Sequence, residues 1–484
     1  MRHYLLPDIS KPGKIGCLLP QLDVPPAKLP PKELLREEVG LPEVSETELV
    51  RYFIALSRLN YGVDTGFYPL GSCTMKYNPK WHEDMAKLPG FASIHPYQSE
   101  ESVQGALQLM FELQEYLTEV NGMKATSLTP IAGAHGELTG LLIVKAYHQD
   151  RGDKARKKVL LTDSSHGTNP ASAVMSGFEL GVVDTDAEGN VDMKSLDAMM
   201  NEEVAALTLT MPTTVGLFDP QILEISQLVH KRGGLLGADG ANLNAFIGNA
   251  KFGELGYDYV QLNLHKTFST PHGGGGPGSG PVCVVESLVD FLPPLLVAKR
   301  NGKYTFISPS KSIGRITDFY GNFGVMVKAY AYIRSLGAEG LKEASQDAVL
   351  NANYLKEKLK AYYYLPYDRT CMHEVVFSGS RQKAKGVHTL DIAKRLLDYG
   401  LHPPTIYFPL IVDEALMTEP TETESKATLD EYIKAMIEIA KDTDENPEIL
   451  HTAPHNAVTR RLDAVKAARQ PDLRWEMGSQ EAED

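Results

Sequence analysis

The chain has 484 residues, of which 43% are hydrophobic and 23% charged, as in globular proteins of two or more domains. Its net charge of -14 argues against a nucleic-acid partner, because binding phosphates needs a basic face. Its four cysteines form no C-x-x-C pair, which predicts a reducing cytoplasm and no metal site. The N-terminus lacks the apolar core of a signal peptide, and the apolar stretches are too short to cross a bilayer, so no membrane partner is expected.

The N-terminal segment is rich in proline and glycine over its first 45 residues and contains two Pro-Pro pairs. This composition predicts an extended arm rather than a packed domain. We place the arm at residues 1–60 and expect it to lie on a neighbouring subunit.

Helical and strand-like patterns follow one another from residue 99 to residue 290. A cap at Ser99, an apolar stripe and a stop at Asn121-Gly122 predict the first helix. Beyond it, the candidate strands are 158–162, 204–209, 234–238, 258–262 and 281–286, and the candidate helices lie near 135–149, 170–179 and 221–232. This alternation predicts an α/β domain, residues 61–330, with a mainly parallel sheet covered on both faces. In such sheets, functional loops gather at the carboxyl ends of the strands.

A smaller C-terminal α/β domain is predicted over residues 331–464. Residues 321–365 have a helical pattern, and the candidate elements beyond them are strands near 373–377 and 406–412 and a helix near 429–441. The charged segment 465–484 is predicted to be a tail.

Lys266 directly follows an apolar strand and leads into a glycine-rich run, Gly273–Pro281. Asp239 follows the preceding apolar run, so both residues are expected at the same edge of the sheet. Pyridoxal phosphate (PLP) requires both types of side chain, because a lysine amine binds its aldehyde and a carboxylate keeps its ring nitrogen protonated. The Asp–Lys pair on consecutive strands therefore predicts a PLP site, although a lysine after a strand, considered alone, carries little information because most lysines are solvated surface groups.

A phosphate site is predicted where the helix near 135–149 begins. Glycines at a helix start leave backbone N–H groups free to bind a phosphate, and the helix dipole adds to the attraction. An ordinary glycine-assisted helix entry is the alternative. The residues assigned to this site are Gly133, Ala134, His135, Gly136 and Glu137.

Other loops at the strand ends offer further side chains to the predicted pocket. His166 follows the first candidate strand and is expected to stack on the cofactor ring. Thr214 belongs to a hydroxyl-rich turn that is expected to reach the cofactor, with local backbone capping as the alternative. Asn263 and His265 lie beside Lys266 and are assigned to the same pocket.

The run Phe67–Pro79 is dense in glycine, proline and polar residues and has neither helical nor strand periodicity. Such a run is typical of a loop with a function, although an irregular surface loop has the same composition. Cys73 lies within it, but no histidine or other base is near in the sequence. We therefore do not predict that Cys73 is a nucleophile.

Taken in order, these segments resemble the glycine-cleavage P-proteins, the PLP-dependent glycine decarboxylases. The similarity is to the C-terminal half of the long form, which is the second (β) subunit where the enzyme is split in two. It extends over nearly the whole chain. The segments that carry it are Phe67–Pro79, Ile94–Gln98, Gly133–Glu137, His166–Pro170, Asp239–Asn244, Leu264–Lys266, Gly273–Pro281, Tyr320–Gly324, His402–Thr405, Glu419–Ser425 and Thr452–His455.

The resemblance implies the aspartate-aminotransferase type of fold, PLP-dependent transferase fold type I. It implies that Lys266 is the Schiff-base lysine, Asp239 the partner of the pyridinium nitrogen and His166 the stacking residue. It also implies that Gly133–Glu137 hold the phosphate. One position departs from the family, because Met211-Pro212 stands where the family usually has Asn-Pro. No polar contact is therefore assigned to residue 211.

The resemblance further implies glycine decarboxylation with transfer of the aminomethyl group to the lipoyl arm of a carrier, the H-protein. Because the chain resembles half of a longer enzyme, a homologous α subunit and an α2β2 assembly are expected. Two alternatives stay open: another PLP enzyme of the same fold, such as an aminotransferase or a cysteine desulfurase, and a non-catalytic partner subunit. Arg315 is considered for the glycine carboxylate, although a surface or interface ion pair is the stronger expectation.

Overall fold

The computed structural model describes residues 5–37, 39–272, 276 and 278–473. The chain divides into two compact units, Met1–Gly62 with Val458–Asp484, and Val63–Ala457. Much of the glycine-rich run, Gly273–Gly275 and Pro277, lies outside the described residues, as do residues 474–484 of the predicted tail. Among the described residues, no helix has the length and hydropathy needed to span a membrane.

The first unit contains most of the predicted arm, which is not extended throughout. A helix, α1 (Glu46–Ser57), forms because Ser45 and Glu48 cap it reciprocally. The Ser45 hydroxyl accepts a hydrogen bond from the Glu48 amide, and the Glu48 carboxylate accepts one from the Ser45 amide. Short 3-10 turns at Leu6–Ile9 and Lys32–Leu34, and a helix at Ala464–Arg469, complete the regular structure described in this unit.

The second unit, residues 63–457, contains the predicted α/β fold. Its helices are α2 (Trp81–Ala86), α3 (Pro89–Ala92), α4 (Gln104–Asn121), α5 (Gly133–Asp150), α6 (Thr168–Met175), α7 (Met193–Met199), α8 (Ile222–Lys231), α9 (Leu264–Thr267), α10 (Phe323–Leu359), α11 (Ser380–Lys383), α12 (Thr389–Asp398), α13 (Lys426–Glu445) and α14 (Glu448–His451). Its strands are β1 (Ala125–Ser127), β2 (Lys158–Thr162), β3 (Glu179–Val183), β4 (Val204–Thr210), β5 (Leu235–Asp239), β6 (Tyr259–Gln261), β7 (Val282–Val284), β8 (Leu296–Arg300), β9 (Lys303–Ile307), β10 (Val375–Ser378), β11 (Thr405–Ile406) and β12 (Ala415–Thr418).

The main sheet has seven strands in the order β1-β7-β6-β5-β4-β2-β3. Strands β3, β2, β4, β5 and β6 are parallel, and β7 is antiparallel to both β6 and β1. The predicted α/β class with a mainly parallel sheet is confirmed. The five candidate strands correspond to β2, β4, β5, β6 and β7.

Helices cover both faces of this sheet and give it two apolar layers. Strand β4 is buried along its whole length, as expected for a central parallel strand covered on both sides. One layer joins β4 and β5 to α4, α8 and the start of α10. The other joins β2 and β4 to α5 and α6.

Two details of the first domain differ from the predictions. The Ser99 side chain makes no capping hydrogen bond, because a 3-10 turn at Glu100–Ser102 intervenes and α4 begins at Gln104. The predicted helix near 170–179 ends at Met175, and β3 begins at Glu179. We missed β3 because it is an edge strand with alternating burial and no uninterrupted apolar run. The predicted stop at Gly122 is confirmed by its left-handed backbone.

A three-stranded antiparallel sheet, in the order β10-β12-β11, follows α10 along the chain. The predicted strand near 406–412 is wrong beyond Ile406, because the chain turns at Tyr407, which has a positive φ of 57°. The central strand is β12, which we did not predict. Helix α10 runs through residue 330 and breaks its helical geometry at Gly337. The predicted domain boundary at residue 330 lies inside this helix, and it therefore stays a prediction.

Candidate active site

A cavity of about 470 Å³ opens at the carboxyl ends of three adjacent parallel strands. The last residues of these strands, Thr210 of β4, Asp239 of β5 and Gln261 of β6, all line it. Lys266 lines the same cavity from α9, which begins three residues after β6 ends. The structure therefore brings Asp239 and Lys266 into one cavity at the edge of the sheet where parallel α/β folds bind ligands.

Asp239 is only 3% exposed, and three donors orient its carboxylate. One oxygen accepts hydrogen bonds from Gln261 Nε2 at 2.7 Å and from the Ala241 amide at 3.0 Å. The other accepts one from Asn169 Nδ2 at 3.1 Å. A carboxylate oxygen can accept more than one hydrogen bond, so the second oxygen can still receive a ligand donor.

Lys266 donates a hydrogen bond from Nζ to the backbone carbonyl of Ser72, at 2.9 Å. Ser72 belongs to the Phe67–Pro79 loop and has a positive φ of 62°, which is unusual for a residue with a side chain. The loop therefore comes within hydrogen-bonding distance of the lysine from 194 residues away in the sequence.

The start of α5 lines the cavity with Gly133, Ala134 and Glu137. A Cβ atom on Gly133 would lie 2.3 Å from Asn263 Nδ2, so glycine lets these two segments approach closely without moving the Asn263 side chain. His135 and Gly136 do not line the cavity. A Cβ on Gly136 would lie 2.5 Å from the Gly280 carbonyl, and His135 Nδ1 accepts a hydrogen bond from the Ile131 amide at 3.3 Å.

Glu137 is 7% exposed and accepts hydrogen bonds from Thr168 Oγ1 at 2.8 Å and Ser172 Oγ at 3.3 Å. Burial, with a further contribution from the nearby Asp239, raises the pKa of its carboxyl to about 8. Glu137 is therefore mainly protonated at neutral pH. In that form it does not repel an anionic ligand at the start of α5.

The other predicted pocket residues also line the cavity. His166 Nδ1 lies 2.9 Å from Thr168 Oγ1, and the imidazole faces the Phe408 ring edge-on at 5.8 Å. Thr214 uses its hydroxyl to donate to the Ser164 carbonyl. That bond leaves the hydroxyl of Thr214 with no further proton to donate to a cofactor.

Asn263 and His265 lie next to each other in the cavity, with Asn263 Nδ2 3.2 Å from His265 Nε2. Burial, followed by the nearby charges of His272 and Lys266, lowers the pKa of His265 to about 3. The imidazole is therefore neutral, and its Nδ1 accepts a hydrogen bond from the Ser279 amide at 3.3 Å.

Comparison with known proteins decides the family. Residues 21–305 match the family model for the glycine cleavage system P-protein, and residues 344–460 match that for the glycine dehydrogenase C-terminal domain. The chain is 60% identical to a probable glycine dehydrogenase (decarboxylating) subunit 2 of Caldanaerobacter subterraneus subsp. tengcongensis, over 98% of this chain and 99% of the relative. The chain belongs to the glycine cleavage system P-protein family. A relative named in the same way, from Halalkalibacterium halodurans, is 57% identical over 98% of each chain.

Solved structures confirm the predicted fold of the chain. An inhibitor-bound glycine decarboxylase (P-protein) superposes with a TM-score of 0.71 at 21% identity, over 84% of this chain and 93% of that one. An apo cysteine desulfurase from Thermococcus onnurineus NA1 gives 0.60 at 17% identity, over 78% and 95%. A sphingosine-1-phosphate lyase from Burkholderia pseudomallei K96243 gives 0.63 at 13% identity, over 88% and 94%. PLP fold type I is the fold these enzymes share, and PLP is the cofactor of the family.

The residues present in this chain fit PLP. Lys266 and Asp239 supply the amine and the carboxylate, and Gly133 opens α5 where a side chain has no room. Three buried polar atoms of the cavity lining have no hydrogen-bond partner among the described residues, namely Thr210 Oγ1, Gln261 Oε1 and Asn263 Oδ1. Buried polar atoms rarely stay unpaired, so these atoms indicate a polar ligand.

Several residues that line the cavity were not predicted from the sequence. Cys73 Sγ lies 3.1 Å from His272 Nε2, so the thiol does have a base beside it, contrary to what the local sequence suggested. No local sequence pattern could indicate this pair, because Cys73 and His272 are 199 positions apart. The other unpredicted lining residues that contact the site from distant segments are Leu70, Gly71, Ser72, Thr168, Thr210, Gln261, Thr405 and Phe408.

Three glutamates, which we call the glutamate clamp (Glu374, Glu419 and Glu422), hold alternate residues of the Phe67–Pro79 loop. Glu374 Oε2 accepts a hydrogen bond from the Ser72 amide at 2.8 Å, and Glu419 accepts one from the Thr74 hydroxyl. Glu422 accepts one from Lys76 Nζ at 2.6 Å. The alternation of Ser72, Thr74 and Lys76 was the available sequence signal. It is short and occurs once, which is why we did not interpret it.

Two clamp residues also belong to a buried group of potential metal ligands, together with His373. Ligand atoms of His373, Glu374 and Glu419 lie within 4.8 Å of one another, and all three residues are fully buried. Burial raises the pKa of Glu374 to about 7 and that of Glu419 well above its ordinary value. Both carboxylates accept hydrogen bonds from the Phe67–Pro79 loop, so we assign this group to holding the loop.

Neither Arg315 nor Met211 offers a polar group to the cavity. Arg315 is exposed and does not line the cavity, in which Lys266 is the one lysine or arginine among the described lining residues. Met211 is 1% exposed and packs in the apolar layer next to β4. Its departure from the family pattern therefore leaves no polar atom at this position.

Proposed function

We propose that this chain is the PLP-carrying β subunit of a glycine dehydrogenase (decarboxylating), an oxidoreductase of glycine catabolism. Its acceptor is the lipoyl arm of a carrier protein, the H-protein of the glycine cleavage system. The observation that supports this most is the pairing of Lys266 and Asp239 in one cavity of a chain that is 60% identical to a relative named for this activity.

The proposed reaction balances without a further reactant. Glycine loses its carboxylate as carbon dioxide, and the aminomethyl carbon forms a bond to one sulfur of the lipoyl disulfide. The S–S bond breaks, and the other sulfur leaves as a thiol after taking up a proton. Glycine is thereby oxidised and the disulfide is reduced.

The roles of the residues follow from their positions in the cavity. Bound PLP supplies an electron-withdrawing ring that stabilises the negative charge left by decarboxylation. Asp239, oriented by its three donors, holds a proton on the ring nitrogen, and Lys266 supplies the amine that retains the cofactor. His166 supports the ring from one side. The free amides of Gly133 and Ala134 bind the phosphate at the start of α5, where Glu137 stays neutral.

We propose a homologous α subunit as the partner, in an α2β2 heterotetramer. The relatives are named subunit 2, which implies a subunit 1. The arm also exposes large apolar side chains, with Leu18, Leu19 and Leu22 at 90%, 84% and 73%. Such a row of exposed leucines is typical of a segment that lies on another chain. Carbon dioxide exchange by the chain with carrier, measured with and without subunit 1, tests the dependence; equal rates contradict it.

We further propose that the enzyme works in the cytoplasm. All four cysteines are free thiols, including the exposed Cys17, which suits a reducing compartment. Blocking thiols in lysed cells before fractionation, followed by mass spectrometry of Cys17, checks the assignment. A disulfide at Cys17 in the native protein contradicts it.

The alternatives considered above have less support. Aminotransferases and cysteine desulfurases share the fold, but the relatives over nearly the full length of the chain are named glycine dehydrogenase. A non-catalytic partner subunit has no need of Lys266 and Asp239, and this chain keeps both in an open cavity.

The decisive experiment measures exchange of labelled carbon dioxide into glycine by the chain with PLP, subunit 1 and a lipoylated carrier. We expect Lys266→Ala to abolish exchange and the visible absorbance of the bound cofactor. Lys434→Ala, at a lysine whose side chain is 78% exposed, is the matched control and is expected to behave as the wild type. Full exchange by Lys266→Ala, or none by the wild type, overturns the proposal.

A further inference from the structure

A short chain of hydrogen bonds connects the buried carboxyl of Glu374 to the amine of Lys266. Glu374 Oε2 accepts from the Ser72 amide at 2.8 Å, and the carbonyl of the same residue accepts from Lys266 Nζ at 2.9 Å. Glu374 is fully buried, while Ser72 and Lys266 line the cavity. Only backbone atoms of Ser72 take part, so its side chain is not needed for the connection.

The backbone of Ser72 is held in an unfavourable conformation. Its φ of 62° lies in the left-handed region, which is unfavourable for a residue with a side chain. Such a conformation persists only where neighbouring contacts enforce it. At Ser72 the hydrogen bond from its amide to Glu374 enforces this conformation. As a result, the Ser72 carbonyl points toward Lys266 and accepts its hydrogen bond.

The loop is also held on each side of Ser72, at Gly71 and at Thr74. The Gly71 carbonyl accepts a hydrogen bond from Thr405 Oγ1 at 2.8 Å, and a Cβ on Gly71 would lie 2.1 Å from Met417 Cγ. The Thr74 hydroxyl donates to Glu419, which is fully buried. The direction of the Ser72 carbonyl is therefore set from both ends.

We propose that Glu374, assisted by Glu419, is a positioning residue that aims the Ser72 carbonyl at Lys266 and so holds the lysine amine whenever it is not bonded to the cofactor. This inference rests on the proposed role of Lys266. When it is not bonded to the cofactor, Lys266 is a flexible side chain with four rotatable bonds. A fixed acceptor keeps the lysine amine close to the cofactor, so that the amine can bond to the cofactor again more quickly.

The charges around this connection do not compete for the lysine amine. His373 lies beside Glu374, and burial lowers the pKa of its imidazole to about 3, so it carries no positive charge at neutral pH. Cys73, the next residue of the loop, has a thiol pKa raised by burial and is neutral as well. Burial raises the pKa of Glu419 well above its ordinary value, and three donors already orient the carboxylate of Asp239.

The test compares Glu374→Ala with Glu374→Gln in the PLP-loaded chain bound to subunit 1. The measurement is the rate at which glycine changes the visible absorbance of the cofactor, in a stopped-flow instrument. Alanine removes the acceptor for the Ser72 amide, so we expect this rate to fall about tenfold. Glutamine keeps a carbonyl acceptor of the same length, so its rate is expected to stay within about threefold of the wild type.

The controls separate positioning from general stability. Glu414→Ala removes another buried glutamate, 7% exposed, which accepts from the Thr389 amide at 2.8 Å. It is expected to lower the stability but not the rate. Where Glu374→Ala does not fold, Thr74→Val, which removes only the donor to Glu419, is expected to slow the rate about threefold.

Failure of the positioning role and failure of the proposed function give different results in these experiments. Wild-type rates in Glu374→Ala, or equal slowing in the alanine and glutamine variants, overturn the positioning role, as does a wild-type rate in Thr74→Val. If the wild-type protein shows no glycine-dependent absorbance change, or Lys266→Ala shows the same one, the proposed function itself fails. A slow Glu374→Ala beside a normal Glu374→Gln supports the inference.

Discussion

Cys73 Sγ lies 3.1 Å from His272 Nε2, inside the cavity that also contains Lys266. Burial is the largest influence on the thiol and raises its pKa, with the carboxyls of Glu419 and Glu374 adding to the effect; Lys266 opposes it. The pair is therefore a thiol beside an imidazole, and the thiolate is a minor form at neutral pH.

The state of Cys73 can be read from its alkylation. We expect iodoacetamide to modify it roughly tenfold or more slowly than the exposed Cys17 at pH 7, because only the thiolate reacts. The rate should keep rising above pH 9. The buried Cys283 and Cys371, whose pKa values burial raises to about 12, should stay unmodified in the folded protein. Peptide mass spectrometry follows each site, and a Cys73 as fast as Cys17 at pH 7 contradicts the assignment.

Asp239→Asn tests the carboxylate at the end of β5. An amide has one acceptor oxygen in place of two and cannot hold a proton on the ring nitrogen, so we expect turnover to fall about 100-fold or more while some cofactor still binds. Carbon dioxide exchange and cofactor absorbance are the two measurements. Asp258→Asn is the matched control, since Asp258 contacts His230 Nε2 at 2.8 Å and does not line the cavity. Near-normal turnover in Asp239→Asn is incompatible with its proposed role.

Glu137→Gln tests the protonated carboxyl through the pH dependence of stability. Below pH 4.5 the carboxyl is protonated in both the folded and unfolded chain. Between pH 4.5 and about 8 it ionises only in the unfolded chain, so the wild type loses stability as the pH rises through that window. Glutamine does not titrate, and each pKa unit is worth about 1.4 kcal/mol, so the variant should gain a few kcal/mol relative to the wild type by pH 8.

Urea denaturation of the cofactor-free protein at several pH values measures this difference. The exposed Glu343→Gln is the control and should follow the wild type across the window. A constant difference between Glu137→Gln and wild type from pH 5 to pH 8 means that Glu137 is ionised in the folded protein.

Gly133→Ala tests the close approach of α5 to the segment after β6. The new Cβ meets Asn263 Nδ2 at 2.3 Å, and Asn263 is only 6% exposed, so either the start of α5 or the buried Asn263 side chain must shift. We expect PLP to bind about tenfold more weakly, which corresponds to ~1.4 kcal/mol and lies within the usual cost of overpacking. Gly105→Ala, where a Cβ meets no atom within 4 Å, is the control. Equal PLP affinity in both variants, measured by titration, contradicts the packing argument.

The sequence by itself determined the fold class and the central pair of the site. Both depend on local patterns, because alternating apolar strands and helices specify a parallel α/β sheet, and the ends of neighbouring parallel strands meet at one edge. Asp239 ends β5, and Lys266 follows β6, so their proximity was readable from the order of elements. The helix stop at Gly122 was readable for the same reason, since it depends on one residue and its neighbours.

Only the tertiary structure decided which side chains complete the cavity. Cys73 and His272, or Ser72 and Glu374, are brought together by closing chains of 199 and 302 residues, and no local periodicity reports such a pairing. Irregular loops have no repeating pattern from which a direction can be read, which is why Phe67–Pro79 was recognised as unusual but its contacts were not. The same reason explains the missed edge strand β3 and the side chain of His135, which lies outside the cavity. Periodicity reports which face of an element is buried, whereas contacts between distant loops are set by the packing of the whole unit.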